Sequence, residues 1–287
     1  MQLSRLEARK TEAARRVPPP AAFARVAKPF NSLRRVSGYT LSLGPFNEGG
    51  NMSNNPGRVA GFWYLLLSVI APMRLMYIPS KLFVRGNATA TVNNIAAHEW
   101  LFRFGIVGDL VCAVILIFLV MAFYRLFKGV DQNLAVLVVI FGGVMPALIN
   151  FVGVVSDAAA LMVVRGADFL SAFDKPQRDA LAVLFLRLRD LQNTAAEILW
   201  GVWLLPLAIL VYRSRFLPRF LGVWLTINGF AYVTISLTGV LLPQYQDKVF
   251  SLSFPALLGE LAIMLWLVVK GAKPQPLDAA ALSSSAA

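Results

Sequence analysis

Four carboxylates stand inside long apolar stretches of this chain, where a charged side chain is costly. They are Asp109, Asp157, Glu197 and Glu260. Two arginines, Arg74 and Arg103, also lie within apolar stretches. Four acidic residues there thus face only two basic ones. Ionisable residues at membrane depth mark ligand or ion pathways, or pair with one another. This set would suit a polar cavity that binds a proton, a cation or a cationic small molecule.

The carboxylates also share helical faces with small or polar residues, as the interior of a membrane bundle requires. Pro146, Asn150, Gly153 and Asp157 recur at helical spacing, and Asn193, Glu197 and Gly201 do the same. The predicted ligand-binding set is Arg74, Arg103, Asp109, Asn150, Asp157, Glu197 and Glu260. This interpretation makes the protein a small-molecule or ion carrier, or a receptor.

Two alternative hypotheses assign the protein to other functional classes, a structural or partner-binding subunit and a membrane enzyme. In a structural or partner-binding subunit, Arg74 or Arg103 pairs with an acid and the polar groups only fix helix packing. A membrane enzyme with carboxylates as acid and base is the third hypothesis, but the sequence contains no GxSxG, HExxH, Walker or CxxC pattern. We therefore predict no catalytic residue. His98 is interpreted as a solvated residue at a helix start.

The composition indicates a helical membrane protein. Of 287 residues, 57% are hydrophobic and only 15% are charged, whereas soluble domains carry about a quarter charged residues. One histidine and one cysteine, Cys112, argue against most metal and haem sites, so no metal or cofactor is predicted. Half of the net charge of +12 lies before Met52, with nine basic and three acidic residues. The remaining basic residues flank apolar runs, so no nucleic-acid partner is predicted.

The expected fold is all-α, a polytopic membrane protein with a bundle of six transmembrane helices, since about 20 apolar residues span a bilayer. The predicted spans are 59–78, 100–124, 134–164, 191–212, 220–242 and 249–270. We expect a kink at Pro72, an end of the first span at Pro79, and a polar stretch over 79–97. Segment 179–190 is predicted to be an interfacial lead-in to the fourth span. The six helices show no inverted repeat, which weakens the case for a transporter.

An even number of spans places both termini on one side. The short loops on that side carry more basic residues than those opposite, which favours cytoplasmic termini. Residues 52–273 form the predicted membrane domain and 274–287 a disordered tail. Segment 1–51 is predicted to be basic and disordered. A second hypothesis is that translation starts at Met52, because codons for Glu48-Gly49-Gly50 can spell a bacterial ribosome-binding sequence.

Several blocks, in order, resemble one bacterial family. They are RVAGFWYLLL (58–67), LFR (101–103), GADFL (166–170), FLPRFLG (216–222) and PALLGE (255–260). The chain resembles the multi-pass inner-membrane proteins catalogued as domain of unknown function 4386. That resemblance implies a helical protein of the bacterial cytoplasmic membrane and no particular activity. Such proteins often have a histidine near the start of the fourth span, where this chain has Arg189-Asp190.

Overall fold

The structure is all-α, as the sequence predicts. The computed structural model describes residues 55–272, and this part of the chain contains helices and no strand. Three predictions fall outside the described residues: the character of 1–51, a start at Met52, and the tail 274–287.

Six helices are long and apolar enough to cross a membrane, which confirms the predicted number. In chain order they are α1 (Pro56–Leu82), α3 (Glu99–Phe127), α4 (Gln132–Val164), α5 (Lys175–Ser214), α6 (Arg219–Leu241) and α7 (Pro243–Val269). A short helix, α2 (Ala88–Ala97), follows α1.

The two ends of the described chain meet. The Gly57 amide donates to the Ala272 carbonyl at 3.0 Å, and the Asn55 side chain accepts from the Ala272 amide at 3.1 Å. We call the opposite side of the bundle the α2 side.

Helix α1 passes through two prolines without ending. A π-helical turn, Met73–Tyr77, begins directly after Pro72, and helix continues through Pro79 to Leu82. A proline removes one backbone donor, and a wider turn accommodates the resulting irregularity. The predicted distortion at Pro72 is therefore present, but the predicted end at Pro79 is wrong. The polar stretch that follows contains helix α2, whose Ala90 amide donates to the Asn87 side chain at 2.9 Å.

Helix α5 is a single helix of 40 residues. It begins with a capping box, in which the Gln177 amide donates to Asp174 Oδ1 at 2.8 Å and the Asp174 amide to Gln177 Oε1 at 3.0 Å. The expected helix start at Asp174 is confirmed. Segment 179–190, predicted as an interfacial lead-in, continues without a break into the span predicted from 191. At 1.5 Å per residue, Arg189 lies about 21 Å along α5.

The two halves of the bundle differ in character. Near the chain ends, large apolar side chains such as Phe123, Phe127 and Leu207 fill a continuous core between the spanning helices. Helix α4 approaches this core through the π-helical turn Ile140–Val144, where Gly142 lies against Trp203. Toward the α2 side the apolar packing is interrupted by charged groups, and these form the candidate site.

Candidate functional site

Four charged side chains from four helices meet inside the bundle. We call Arg74 of α1, Asp109 of α3, Asp157 of α4 and Arg189 of α5 the ion cluster. Arg189 Nη2 lies 2.7 Å from Asp109 Oδ2, and Arg189 Nε lies 3.2 Å from Asp157 Oδ2. Arg74 Nε contacts the other oxygen of Asp109. Arg189 and Asp109 are almost fully buried, at 4% and 2% exposed, so water screens these ion pairs weakly.

Local structure explains how these groups reach one another. Arg74 belongs to the π-helical turn of α1, which sets the direction in which its side chain leaves the helix. On α4, Gly153 faces the Arg189 guanidinium, and a Cβ at that position would lie 2.7 Å from Arg189 Cζ. Glycine is therefore required for this approach. One turn further along α5, the side-chain oxygen of Asn193 accepts a hydrogen bond from Arg189 Nη1.

The position of Arg189 corrects the predicted charge balance. The sequence predicts that Arg74 and Arg103 are the intramembrane cations and that carboxylates outnumber them. The ion cluster instead contains two arginines and two aspartates, and its formal charge is zero. A sequence signal for Arg189 does exist, because positions 189, 193, 197 and 201 continue one helical face.

Four of the seven predicted residues lie outside the ion cluster, and the first two are Arg103 and Asn150. Arg103 Nε is 2.6 Å from Glu99 Oε1 on the same helix, and both side chains are partly exposed. Such i,i+4 pairs contribute about 0.3–0.5 kcal/mol. Asn150 is half-buried and forms no side-chain hydrogen bond within residues 55–272.

Glu197 and Glu260 lie in a second polar region, nearer the chain ends. Glu260 accepts a hydrogen bond from the Tyr64 hydroxyl, and Tyr232 lies close to both glutamates. We call these four residues the glutamate–tyrosine group. Within the described residues no cation lies within 4.0 Å of either glutamate, and Glu197 Oε2 is buried without a hydrogen-bond partner. Of the four carboxylates singled out in the sequence, the two without a cation within 4.0 Å therefore lie here and not in the ion cluster.

A cleft of about 520 Å³ opens on the α2 side, between the end of α1, the start of α2 and one face of α5. Its polar lining consists of Ser80, Arg85, Asn87, Thr91, Arg187 and Asp190. A smaller cavity of about 100 Å³, the inner cavity, is bordered by Arg74, Asp157 and Arg189 of the ion cluster. Cleft and inner cavity share Pro79, Phe83 and Asp190 in their linings. The cleft and the inner cavity are therefore adjacent, and the inner cavity borders the ion cluster.

The sequence did not predict this cleft. Its walls come from segments distant in sequence, and they meet only because α1 continues past Pro79 and α5 begins well before residue 191. Asp190, which lines both spaces, forms no ion pair within 4.0 Å among residues 55–272.

A family model matches most of the chain. The family model described as "Domain of unknown function (DUF4386)" matches residues 59–271, which include all seven helices except the first three residues of α1. No curated protein and no solved structure shows a significant match. This match covers most of the chain, and the chain is a multi-pass membrane protein that belongs to the DUF4386 family.

Proposed function

We propose that this protein is a receptor or carrier of the bacterial inner membrane that binds a small polar or charged molecule in the cleft. The observation that carries the proposal is the lining shared between the cleft and the inner cavity, which borders three of the four ion-cluster residues. A ligand in the cleft would lie beside Asp190, which also borders the inner cavity. Its charge would act across the inner cavity on the ion pairs between α1, α3, α4 and α5.

The basic residues of the short loops support an orientation with both ends cytoplasmic. The tight turns on the side of Asn55 and Ala272 carry Arg125, Lys128, Arg213, Arg215 and Arg219, whereas the α1–α2 and α6–α7 connections on the α2 side carry Lys81, Arg85 and Lys248. The α4–α5 connection on the α2 side adds Arg165, Lys175 and Arg178. In this orientation the cleft faces away from the cytoplasm, so the ligand would arrive from outside the cell membrane.

A structural role is the second candidate, and the neutral charge of the ion cluster favours it. Buried, mutually paired charges can serve to fix one helix arrangement. The cavity beside the cluster argues for binding, because a cluster that served packing alone would be expected to be closely packed on all sides.

Filling the cleft tests the proposal. Ala88 lines the cleft at the first turn of α2, and Ala88→Trp would place an indole ring in it. We expect at least one compound in a panel of inorganic ions and short amphiphiles of either charge to raise the melting temperature of the wild-type protein in detergent, because a ligand that binds only the folded state stabilises it. Ala88→Trp should lose this shift.

Ala96→Trp is the matched control, because Ala96 lies on the same helix, is exposed and does not line the cleft. It should keep the wild-type response. An equal ligand response in Ala88→Trp and Ala96→Trp, or no response of the wild-type protein to any compound, would contradict cleft binding and favour the structural role.

The sequence predicts a proton or a small cation as ligand, and the glutamate–tyrosine group is the place where such a ligand would bind. We expect sodium or choline to raise the melting temperature of the wild-type protein and to have no effect on Glu260→Gln. The glutamine variant should fold, since its side-chain oxygen can still accept the hydrogen bond from Tyr64. Glu99→Gln removes a partly exposed carboxylate from another site and should keep the wild-type response. A failure of Glu260→Gln to fold would instead assign Glu260 to helix packing.

A further inference from the structure

The cleft contains two arginines that form no ion pair within the described residues. Arg85 lies in the α1–α2 loop and Arg187 on α5, and both line the cleft. Within the described residues neither lies within 4.0 Å of a carboxylate, whereas Arg74, Arg103 and Arg189 all do. Guanidinium groups from two separate elements, converging on one space, are suited to the oxygens of a phosphate.

The charge distribution of the cleft favours an anion. The only acidic group in the lining is Asp190. This residue also borders the inner cavity, where Arg74 and Arg189 lie on the same wall. The cleft lining thus contains two arginines, Arg85 and Arg187, and one carboxylate, so its formal charge is positive.

The backbone adds to this charge. Asn87 and Ala88, both in the cleft lining, are the N-cap and the first residue of helix α2. The start of a helix carries partial positive charge, and its first amides lack partners within the helix. This contribution reinforces the two arginines, which remain the main basis for recognition.

Much of the remaining lining is apolar. Pro79, Phe83, Val84 and Leu186 border the same space as the arginines. Since α1, a spanning helix, ends at Leu82, the cleft lies where the membrane-spanning part of α1 gives way to a polar loop. A ligand with a charged group and an attached hydrocarbon would match both parts of this lining.

We propose that the cleft binds a phosphate group through Arg85 and Arg187, and that the phosphate belongs to an amphiphile whose alkyl part contacts Phe83 and Leu186. This inference rests on the proposed binding function of the cleft and specifies its ligand class. A phosphate is available from two sources, a lipid-like phosphate ester and free phosphate, and the apolar lining favours the ester.

Calorimetric titration of the purified full chain in a maltoside detergent tests the proposal. Hexyl phosphate should bind, and the double variant Arg85→Gln/Arg187→Gln should bind it at least about tenfold more weakly, because each charge-assisted hydrogen bond contributes about that factor. Arg178→Gln is the matched control, since Arg178 lies on α5 outside the cleft lining and should leave the affinity unchanged. Inorganic phosphate should bind more weakly than hexyl phosphate. Equal affinities would retain the phosphate site and identify free phosphate as its ligand.

Two results would overturn the assignment of phosphate: no binding of hexyl phosphate, or equal affinities in the double variant and the wild-type protein. Titration with the cation hexyltrimethylammonium distinguishes a wrong phosphate assignment from a wrong proposal of ligand binding in the cleft. If the cation binds, and Ala88→Trp abolishes its binding while the arginine variants do not, the cleft is a binding site for cations and the phosphate assignment is wrong.

Discussion

Arg189→Gln is expected to lower the free energy of unfolding by about 3–5 kcal/mol, the usual cost of removing one partner from a buried ion pair. Arg189 contacts both Asp109 and Asp157 in the ion cluster. Asp109 would keep its contact with Arg74, but Asp157 would lose its only cation within 4.0 Å in the described chain. The measurement is reversible unfolding in mixed detergent micelles, followed by circular dichroism.

A second substitution identifies the cause of this loss. Asp157→Asn in the Arg189→Gln background removes the unpaired carboxylate, so the double variant should be more stable than Arg189→Gln alone. Arg187→Gln, two residues away and exposed, should change stability by less than about 0.5 kcal/mol. Equal stabilities of Arg189→Gln and Arg187→Gln would show that the ion cluster does not hold the four helices together.

Helical periodicity was enough to predict which faces turn inward. Gly105, Asp109 and Cys112 fall on one face of α3, and all three are buried. Periodicity within one helix does not determine how that helix is rotated against its neighbours. The sequence therefore offered either Arg74 or Arg103 as a partner for an acid, whereas the structure pairs Arg74 with Asp109 and Arg103 with Glu99.

The errors concern positions where helix length depends on tertiary packing. Pro79 resembles a helix end, but the π-helical turn before it lets α1 continue to Leu82. Arg187 and Arg189 resemble a pair of interfacial anchors, yet they have different surroundings. Arg187 lines the cleft, while Arg189 points into the bundle and joins the ion cluster. Local sequence does not distinguish them, because the distinction depends on Asp109 and Asp157 from other helices.

The distinction between these two arginines links stability with binding. All three guanidinium nitrogens of Arg189 have hydrogen-bond partners, on Asp157, Asn193 and Asp109. Arg189 is therefore poorly placed to bind a further ligand. Arg187 has no such partner among the described residues and faces the cleft. Two residues apart on α5, one arginine therefore holds the helices together and the other is free to bind a ligand.

A close helix approach that depends on glycine joins α5 to α6. A Cβ on Gly201 would contact the Gly229 carbonyl oxygen and would lie 2.8 Å from Val233 Cγ2. In the reverse direction, a Cβ on Gly229 would lie 2.9 Å from the Gly201 carbonyl oxygen. In both directions the added Cβ meets a backbone carbonyl oxygen, which cannot turn aside as a flexible side chain can. One helix must therefore move if either glycine is replaced. Small residues at such crossings allow backbones to approach closely in membranes.

Gly201→Val should therefore destabilise the protein by more than the roughly 1–3 kcal/mol typical of an overpacked site, because its branched side chain meets backbone. Gly201→Ala should fall within that range. Gly108→Ala is the matched control, since Gly108 is also buried within a helix, but a Cβ there would lie 3.9 Å from Arg74 Cβ, at ordinary contact distance. This control should be neutral or slightly stabilising, because alanine favours helix by about 1 kcal/mol over glycine. Unfolding in mixed micelles measures all three variants, and equal stabilities of Gly201→Val and Gly108→Ala would show that α5 and α6 do not pack through Gly201.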